Sequence, residues 1–297
     1  MEGIYLFKEK LENQYDINLK NKVLENLKET RFTTFRVNTI KAKTEDVVAS
    51  LNELGFNLEQ VDFYNCAFIL LNKSQEELES TYIYKEGKIY LQSLSSMLPP
   101  IVLDAKENMD ILDMAAAPGG KTTELACLTN NKARITACEL NKIRAERLKY
   151  NVKNQQATSV LVLEKDARKL DDFFSFDSIL LDAPCSGSGT RVNENDFNGF
   201  STLLINKSVK SQKELLRRAI KHLKKNQTMV YSTCSIFKEE NEDIVRPYIL
   251  SGELEAIKID INSSYLELLP STIENALTIM PNKYYEGFFV IKLRKRK

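Results

Sequence analysis

From residue 109 onward, short apolar runs ending in acids or cysteines alternate with stretches whose apolar residues recur every three or four positions. The runs are "MDILDMA", "RITACEL", "SVLVLEKD", "FDSILLDAP", "TMVYSTC" and "GFFVIKLR". Helical patterns separate them: one through "TTELACL", one with Ala145, Leu148 and Val152 on a face, one around Leu216, and one over "KEENEDIVRPYIL". A helix between two strands returns the chain to the same end of the sheet, so the strands lie parallel and need helices on both faces. The expected fold class is therefore α/β, a mostly parallel, doubly wound sheet. Ligands of such sheets sit outside the carboxyl ends of the strands. Those ends carry Asp113, Glu139, Asp166, Asp182 with Cys185, and Cys234.

The first 88 residues read differently. "FKEKLENQ" is amphipathic, "TTFRVNTI" alternates and is rich in β-branched residues, and "FILLN" reads as a buried strand. "TEDVVASLNELGF" is a helix with Thr44 as its N-cap, Val47, Val48, Leu51 and Leu54 on one face, and a stop at Gly55. A chain of 297 residues has room for two unequal domains. We expect a smaller α+β domain over 1–88 and the doubly wound domain over 89–297. "YLQSLSSMLPP" forms the junction, where Pro99 and Pro100 break or cap a helix.

Several function classes fall away. No run of eighteen apolar residues exists to span a membrane, and the first residues lack the apolar block of a signal peptide, so a cytoplasmic protein is expected. Five scattered cysteines, with no CxxC and no Cys/His cluster, argue against structural zinc or a disulfide framework. Cys66, Cys127 and Cys138 are read as buried free thiols. The single histidine, His222, lies off the apolar stripe of its helix and is expected to face solvent. Ser-His-Asp and Cys-His catalysis both need a histidine base and are set aside. With no apolar stripe suited to a partner, a monomer is expected. Lysine and arginine concentrate in "KSQKELLRRAIKHLKK" and "KLRKRK", as a solvated face or a phosphate-contacting surface.

"AAAPGGKTT" invites a phosphate-loop reading, with "ILLDAP" as the magnesium-binding strand, but the position six before the lysine is Ala115 rather than glycine. The alternative is a cofactor turn at Gly119–Gly120, where the backbone approaches a ligand with no side chain between. Glu139 then accepts from two ribose hydroxyls and Asp166 from an adenine amine. The phosphate-loop reading leaves Glu139 and both strand-end cysteines without a role. Three acids at successive strand ends favour an adenosine-type cofactor.

Without a histidine base, chemistry at Cys185 and Cys234 should suit a thiolate that adds and later leaves. Addition to the 6-position of a pyrimidine makes the 5-position electron-rich enough to take a methyl group from a sulfonium donor. Asp182 would stabilise that addition by bonding the ring nitrogen or amine. Residue chemistry alone does not order the two cysteines, and a Pro-Cys nucleophile would point to Cys185.

These segments resemble the Sun/Fmu-type RNA (cytosine-5) methyltransferases: "LDMAAAPGGKTTE", "ACELNKIRAERL", "LLDAPCSGSGT", "VYSTCSIFKEENEDIV" and "EGFFVIKLRK", with "FRVNTIK" and "YLQSLSSMLPPIVLD" resembling the family's preceding RNA-binding segment. The resemblance implies a Rossmann-like class I methyltransferase behind an amino-terminal RNA-binding domain. It implies S-adenosylmethionine bound through Ala115, Ala116, Ala117, Pro118, Gly119, Gly120 and Lys121, with Glu139, Arg144, Asp166 and Asp182. It makes Cys234 the nucleophile and Cys185 the group that assists product release. The substrate is RNA, ribosomal or transfer. The chain departs from the family at Ala115, often cysteine, and after "GSGT", where "RVNENDFNGF" replaces a basic, proline-containing stretch. From its ending at "LRKRK", no added carboxyl-terminal RNA-binding domain is expected. Arg36 and Asn38 are expected to position RNA, with bracing of the domain interface as the alternative.

Overall fold

A computed structural model describes residues 2–192 and 194–297. Helices α1 (Glu2–Gln14) and α2 (Ile17–Asn26) come first. Strands β1 (Thr34–Val37), β2 (Leu58–Val61), β3 (Tyr64–Leu70) and β4 (Ile89–Leu91) form an antiparallel sheet in the order β2-β3-β1-β4. Helices α3 (Thr44–Glu53), α4 (Gln75–Ser80) and α5 (Tyr82–Lys85) connect them. Val47 and Leu51 of α3 are buried in one cluster with Phe35 and Ile69 of the sheet, as their spacing predicts. Leu54 is left 43% exposed. Thr44 is not the cap: Lys43 holds that position, and the Thr44 hydroxyl donates to the Cys66 sulfur at 3.4 Å.

Helix α6 (Leu94–Leu103) joins the two parts of the molecule, and eight of its ten residues are buried. Pro99 and Pro100 neither break nor cap it; both lie inside. A proline at 100 cannot serve the carbonyl of Ser96, and the Gln92 side-chain amide donates to that oxygen instead, at 3.0 Å. A helix apolar all round needs protein on every side. Leu94, Leu98 and Val102 belong to one continuous cluster that also holds Phe35 and Ile69 of the small sheet and Leu180, Val230 and Val290 of the large one.

The large sheet contains β5 (Asp110–Asp113), β6 (Arg134–Cys138), β7 (Val160–Leu163), β8 (Phe176–Asp182) and β9 (Leu223–Thr233), all parallel. Helices α7 (Gly120–Leu128), α8 (Lys142–Asn154), α9 (Thr202–His222) and α10 (Glu242–Leu250) follow its strands. Beyond the parallel core come β10 (Leu254–Ile257), β11 (Leu268–Leu269), β12 (Leu277–Ile279) and β13 (Phe288–Lys295), which pair antiparallel. The order is β11-β12-β13-β9-β8-β5-β6-β7, with β10 on β13. The sequence pattern shows β13 but not β10, β11 or β12, which are two to four residues long, too short to display a period. The chain steps outward from β5 to β7, then returns to place β8 on the other side of β5. That reversal opens a crevice at the carboxyl ends of β5 and β8.

Helix α1 packs away from the small sheet. Phe7 and Leu11 cluster with Phe197, Phe200, Ile205 and Phe237, beside the segments that follow the two strand-end cysteines. His222 is a correction: it is buried, with Nδ1 at 2.9 Å from the carbonyl of Phe174 and Nε2 at 3.1 Å from Arg218. Its helix ends under the sheet, so a position off the apolar stripe is still covered. It precedes β9 while Cys234 follows it, which separates the two by roughly 30 Å of strand. Cys66, Cys127 and Cys138 are buried free thiols, as expected.

Candidate active site

Two adjoining cavities open at the carboxyl ends of the parallel strands. The first, about 500 Å³, is lined by Glu139, Leu140, Arg144, Asp166, Pro184 and Leu215 among others. The second, about 380 Å³, runs from Tyr90 and Ser96 past Asp113, the 115–118 turn and Lys121 to Asp182, Cys234 and Phe288. Ala115 lines both.

The turn before α7 owes its glycines to packing. Gly119 has φ +110°, and a Cβ there would lie 2.9 Å from Leu148 of α8. A Cβ on Gly120 would meet Tyr90 at 3.1 Å. The space beside their Cα atoms is taken by α8 and β4, while the backbone at Gly120 lines the second cavity. Ala115, Ala116, Ala117 and Pro118 face the second cavity, and Arg144 fixes the turn by donating to the Ala117 carbonyl at 2.7 Å.

The acids that follow β6 and β7 both line the first cavity and are fixed by neighbouring donors. Glu139 uses Oε1 to accept from the Asn141 amide at 2.8 Å, while Oε2 lies 3.6 Å from Arg144. Asp166 accepts from the amide and the guanidinium of Arg168. Burial pushes its carboxyl up, but those bonds to Arg168 outweigh it and hold it below the usual carboxylate range. An adenosine cofactor fits here: two fixed carboxylates, apolar walls from Leu140, Pro184 and Leu215, and a second chamber beyond Ala115 for the rest of the molecule.

Lys121 points away from the first cavity. Its ammonium bonds Asp182 Oδ2 at 2.8 Å and the Ser96 hydroxyl at 2.7 Å, beside the ring of Phe288. Burial works against its charge, but Asp182, with Cys234 and Asp113, holds its pKa above the ordinary lysine value. The other oxygen of Asp182 accepts from Ser232 at 2.8 Å. Asp113 sits beneath the turn and accepts from Thr122 at 2.6 Å; burial and then the nearby Asp182 push its carboxyl up to about 6 against that bond.

The two strand-end cysteines meet. Cys185 and Cys234, 49 residues apart in sequence, have their sulfurs 3.0 Å apart. Only Cys234 of the two lines the second cavity. The hydrogen bond to Cys234, burial and the charge of Cys234 together hold the Cys185 thiol well above the ordinary cysteine value. The loops carrying them are drawn together by backbone: the Ala183 amide donates to Ser232, and the Gly189 amide to the Cys234 carbonyl at 3.0 Å. Gly287, in "EGFF", donates to Gly189, and a Cβ on Gly189 would lie 1.8 Å from the Gly287 carbonyl oxygen. Only glycine tolerates that approach.

Arg36 and Asn38 are not at an RNA surface. Both are fully buried. Arg36 donates to the Gln92 side chain, the Gly120 carbonyl and the Thr123 hydroxyl, all at 2.8–2.9 Å. Asn38 donates to the carbonyls of Gly87 and Gln155. The alternative reading holds: they brace the small sheet against α7 and α8. Of the segment after "GSGT", Asn193 lies outside the described residues; Arg191 packs over Phe200 and donates to the Ser186 carbonyl at 2.6 Å.

A doubly wound sheet with this switch-point crevice, an acid-lined first cavity and an amino-terminal extension defines a Rossmann-like class I methyltransferase fold. The model of the 16S rRNA methyltransferase RsmB/F family matches residues 100–294, and the chain belongs to that family. Ribosomal RNA small subunit methyltransferase F of Shewanella sediminis is 34% identical over 275 residues, which cover 88% of this chain and 57% of that protein. The chain therefore spans little more than half the length of such curated relatives. A methyltransferase homologue from Pyrococcus horikoshii is 30% identical with a TM-score of 0.81, covering 97% of this chain and 98% of that one. NSun6 from Pyrococcus horikoshii, solved with SFG, shares the fold at a TM-score of 0.84 and 24% identity, each chain covered to 98%.

Proposed function

We propose that this protein methylates the 5-position of a cytosine in ribosomal RNA, with Cys234 bonding covalently to the base. The methyl donor is S-adenosylmethionine, and when bound it supplies an electrophilic methyl group. Glu139 and Asp166 would hold its adenosine part, and the 115–118 turn with Asp113 its other end. The single observation carrying the reading is the pair of sulfurs 3.0 Å apart with only Cys234 facing the cleft beside Asp182 and Lys121. The family's description names 16S ribosomal RNA, which favours that substrate over transfer RNA.

The residues divide the work as follows. The Cys234 thiolate adds to the 6-position of the ring, and the displaced electron pair moves toward the ring nitrogen and carbonyl oxygen. Lys121, held charged, donates to that developing charge, and Asp182 accepts from the exocyclic amine. Addition also changes Cys185. Once Cys234 is a neutral thioether, its charge no longer opposes ionisation of Cys185, which loses its proton to solvent. With the pair that addition displaced, carbon 5 would take the donor's methyl group. The Cys185 thiolate then takes the proton from the 5-position, and the freed pair re-forms the bond between carbons 5 and 6. The bond between carbon 6 and sulfur breaks, and its electron pair returns to Cys234. Cys185 ends as a thiol beside a thiolate, the arrangement from which the cycle began.

The test is a pair of variants on unmodified small-subunit ribosomal RNA with labelled donor. Cys234→Ala should lose methyl transfer by at least about 10⁴-fold, as expected when a covalent nucleophile is removed. Cys185→Ala should trap a protein–RNA adduct that survives denaturant. A trapped adduct in Cys234→Ala instead would exchange the two roles. No adduct and no methylated cytosine with either the variants or the intact protein would defeat the reading.

A further inference from the structure

Glu240 lies in "FKEENE", six residues past Cys234, and nothing in the chemistry above uses it. It is fully buried. Its Oε1 accepts from the Ser186 amide at 2.7 Å, and its Oε2 accepts from the hydroxyls of Ser186 and Ser235, both at 2.6 Å. Ser186 directly follows Cys185, and Ser235 directly follows Cys234. One carboxylate therefore grips both cysteine loops at the residue next to each sulfur.

The surrounding bonds suit an ionised carboxylate. The Ser235 oxygen accepts from the Phe237 amide at 3.2 Å and meets the Ser188 hydroxyl at 2.8 Å; the Ser188 oxygen accepts from the Ile236 amide at 3.0 Å. The consistent assignment has Ser188 donating to Ser235, and both Ser235 and Ser186 donating to Glu240. Every hydroxyl proton then runs toward the carboxyl, which receives three donors and has none to return. An ionised, acceptor-only carboxylate completes such a chain, its three donors working against the upward push of burial. The cluster is held from behind, where the Tyr231 hydroxyl donates to the Glu240 carbonyl at 2.6 Å and Asn241 donates to that of Ser235 at 2.9 Å.

We propose that Glu240 is a positioning residue that clamps the two cysteine loops so that Cys185 stays within reach of the base bonded to Cys234. The proposal rests on the cysteine chemistry described above. Two thiols from separate loops do not remain 3.0 Å apart unaided, because sulfur contact at that distance gains little. The three bonds to Glu240 supply the restraint at the neighbouring residues. Its negative charge adds to that of Cys234 in favouring the protonated form of Cys185, and it persists after Cys234 has reacted.

The decisive variant is Glu240→Gln in the full chain, assayed on the small-subunit ribosomal RNA transcript. An amide of the same shape brings donors where Ser186 and Ser235 already donate, so the hydroxyl chain must reverse. Turnover should fall roughly 100-fold with KM within about twofold, the size of effect a small misplacement of reacting groups produces. Denaturant-stable adduct should build up as it does in Cys185→Ala, because release suffers more than attack. The pH at which turnover rises should also move lower, since the charge opposing Cys185 ionisation is gone. A folded Glu240→Gln with turnover within about threefold of the intact protein and no adduct overturns the clamp. Should that variant not fold, Ser186→Ala and Ser235→Ala each cut one side, and unchanged turnover in both overturns it equally. If the intact protein methylates no cytosine and Cys185→Ala traps nothing, the cysteine reading falls and takes the clamp with it. An adduct in Cys185→Ala beside an indifferent Glu240→Gln sinks the clamp alone.

Discussion

Two glutamates, Glu124 and Glu240, are buried without any exposure, and they are held in opposite ways. Glu240 receives three donors from two loops. Glu124, on α7, receives one, from Gln92 at 2.7 Å, and its Oε1 has no partner among the described residues. Arg36 lies 3.8 Å from it but donates to Gln92, Gly120, Thr123 and the Cys127 sulfur. Burial therefore prevails at Glu124, and its carboxyl is pushed up to about 8 despite Arg36 and Gln92. Burial raises Glu240 as well, against the bonds from Ser186 and Ser235. What separates them is the number of donors aimed at the oxygens, not depth. Glu124 belongs to an interface that must stay shut, and Glu240 to a pair of loops that must stay aligned.

The sharpest way to separate the two regions is to empty the interface. Arg36→Ala leaves the buried Gln92 side-chain oxygen without its donor, takes a second donor from the Gly120 carbonyl and removes the charge beside Glu124, and should cost about 3–5 kcal/mol in denaturant titration. RNA affinity of the folded fraction should stay within about twofold, because Arg36 touches no solvent. A large change in the salt dependence of RNA binding would restore Arg36 to an RNA-contacting role.

A pH series tests Glu124 directly. Its folded pKa is raised, so its contribution is complete below the ordinary value of 4.5 and is lost as pH climbs to about 8. Relative to Glu124→Gln, the intact protein should lose stability over that window by up to roughly 5 kcal/mol, at about 1.4 kcal/mol per unit. Parallel curves for the two proteins would mean that Glu124 is ionised in the fold and that Arg36 governs it after all.

The smallest effect belongs to Asn38. Asn38→Ala removes the donors to the Gly87 and Gln155 carbonyls and should cost about 1–2 kcal/mol by thermal melting. Methyl transfer per folded molecule should not change. If turnover falls while stability holds, the interface does more than brace.

Much of this was legible beforehand, and the reasons differ by element. The five parallel strands could be read because each is a compact apolar run ending in an acid or a cysteine. The antiparallel strands β10 to β12 could not, because two to four residues carry no period. Pro99 and Pro100 were read as a helix end because their missing donors are visible in sequence, whereas the Gln92 side chain that serves the orphaned carbonyl of Ser96 is not. The stripe of its helix puts His222 in solvent, because such a stripe shows one covered face and cannot show a second. For the site, the strand-end acids and both cysteines were found by position. Glu240, Ser232 and Ser96 were not, although the serines crowded into "PCSGSG" and "STCS" were a signal that something nearby had to accept their protons.

The order of apolar runs and amphipathic helices, by itself, determined that a parallel sheet forms and that acids and cysteines gather along one edge of it, because strand ends are set by local pattern. Tertiary structure alone decided which cysteine faces the cleft, that Arg36 is a brace, that Lys121 serves Asp182, and that Glu240 ties its own cysteine loop to one more than fifty residues earlier. Those outcomes depend on which groups from far-apart segments share a few ångströms of space, and on how many donors each buried acid receives there.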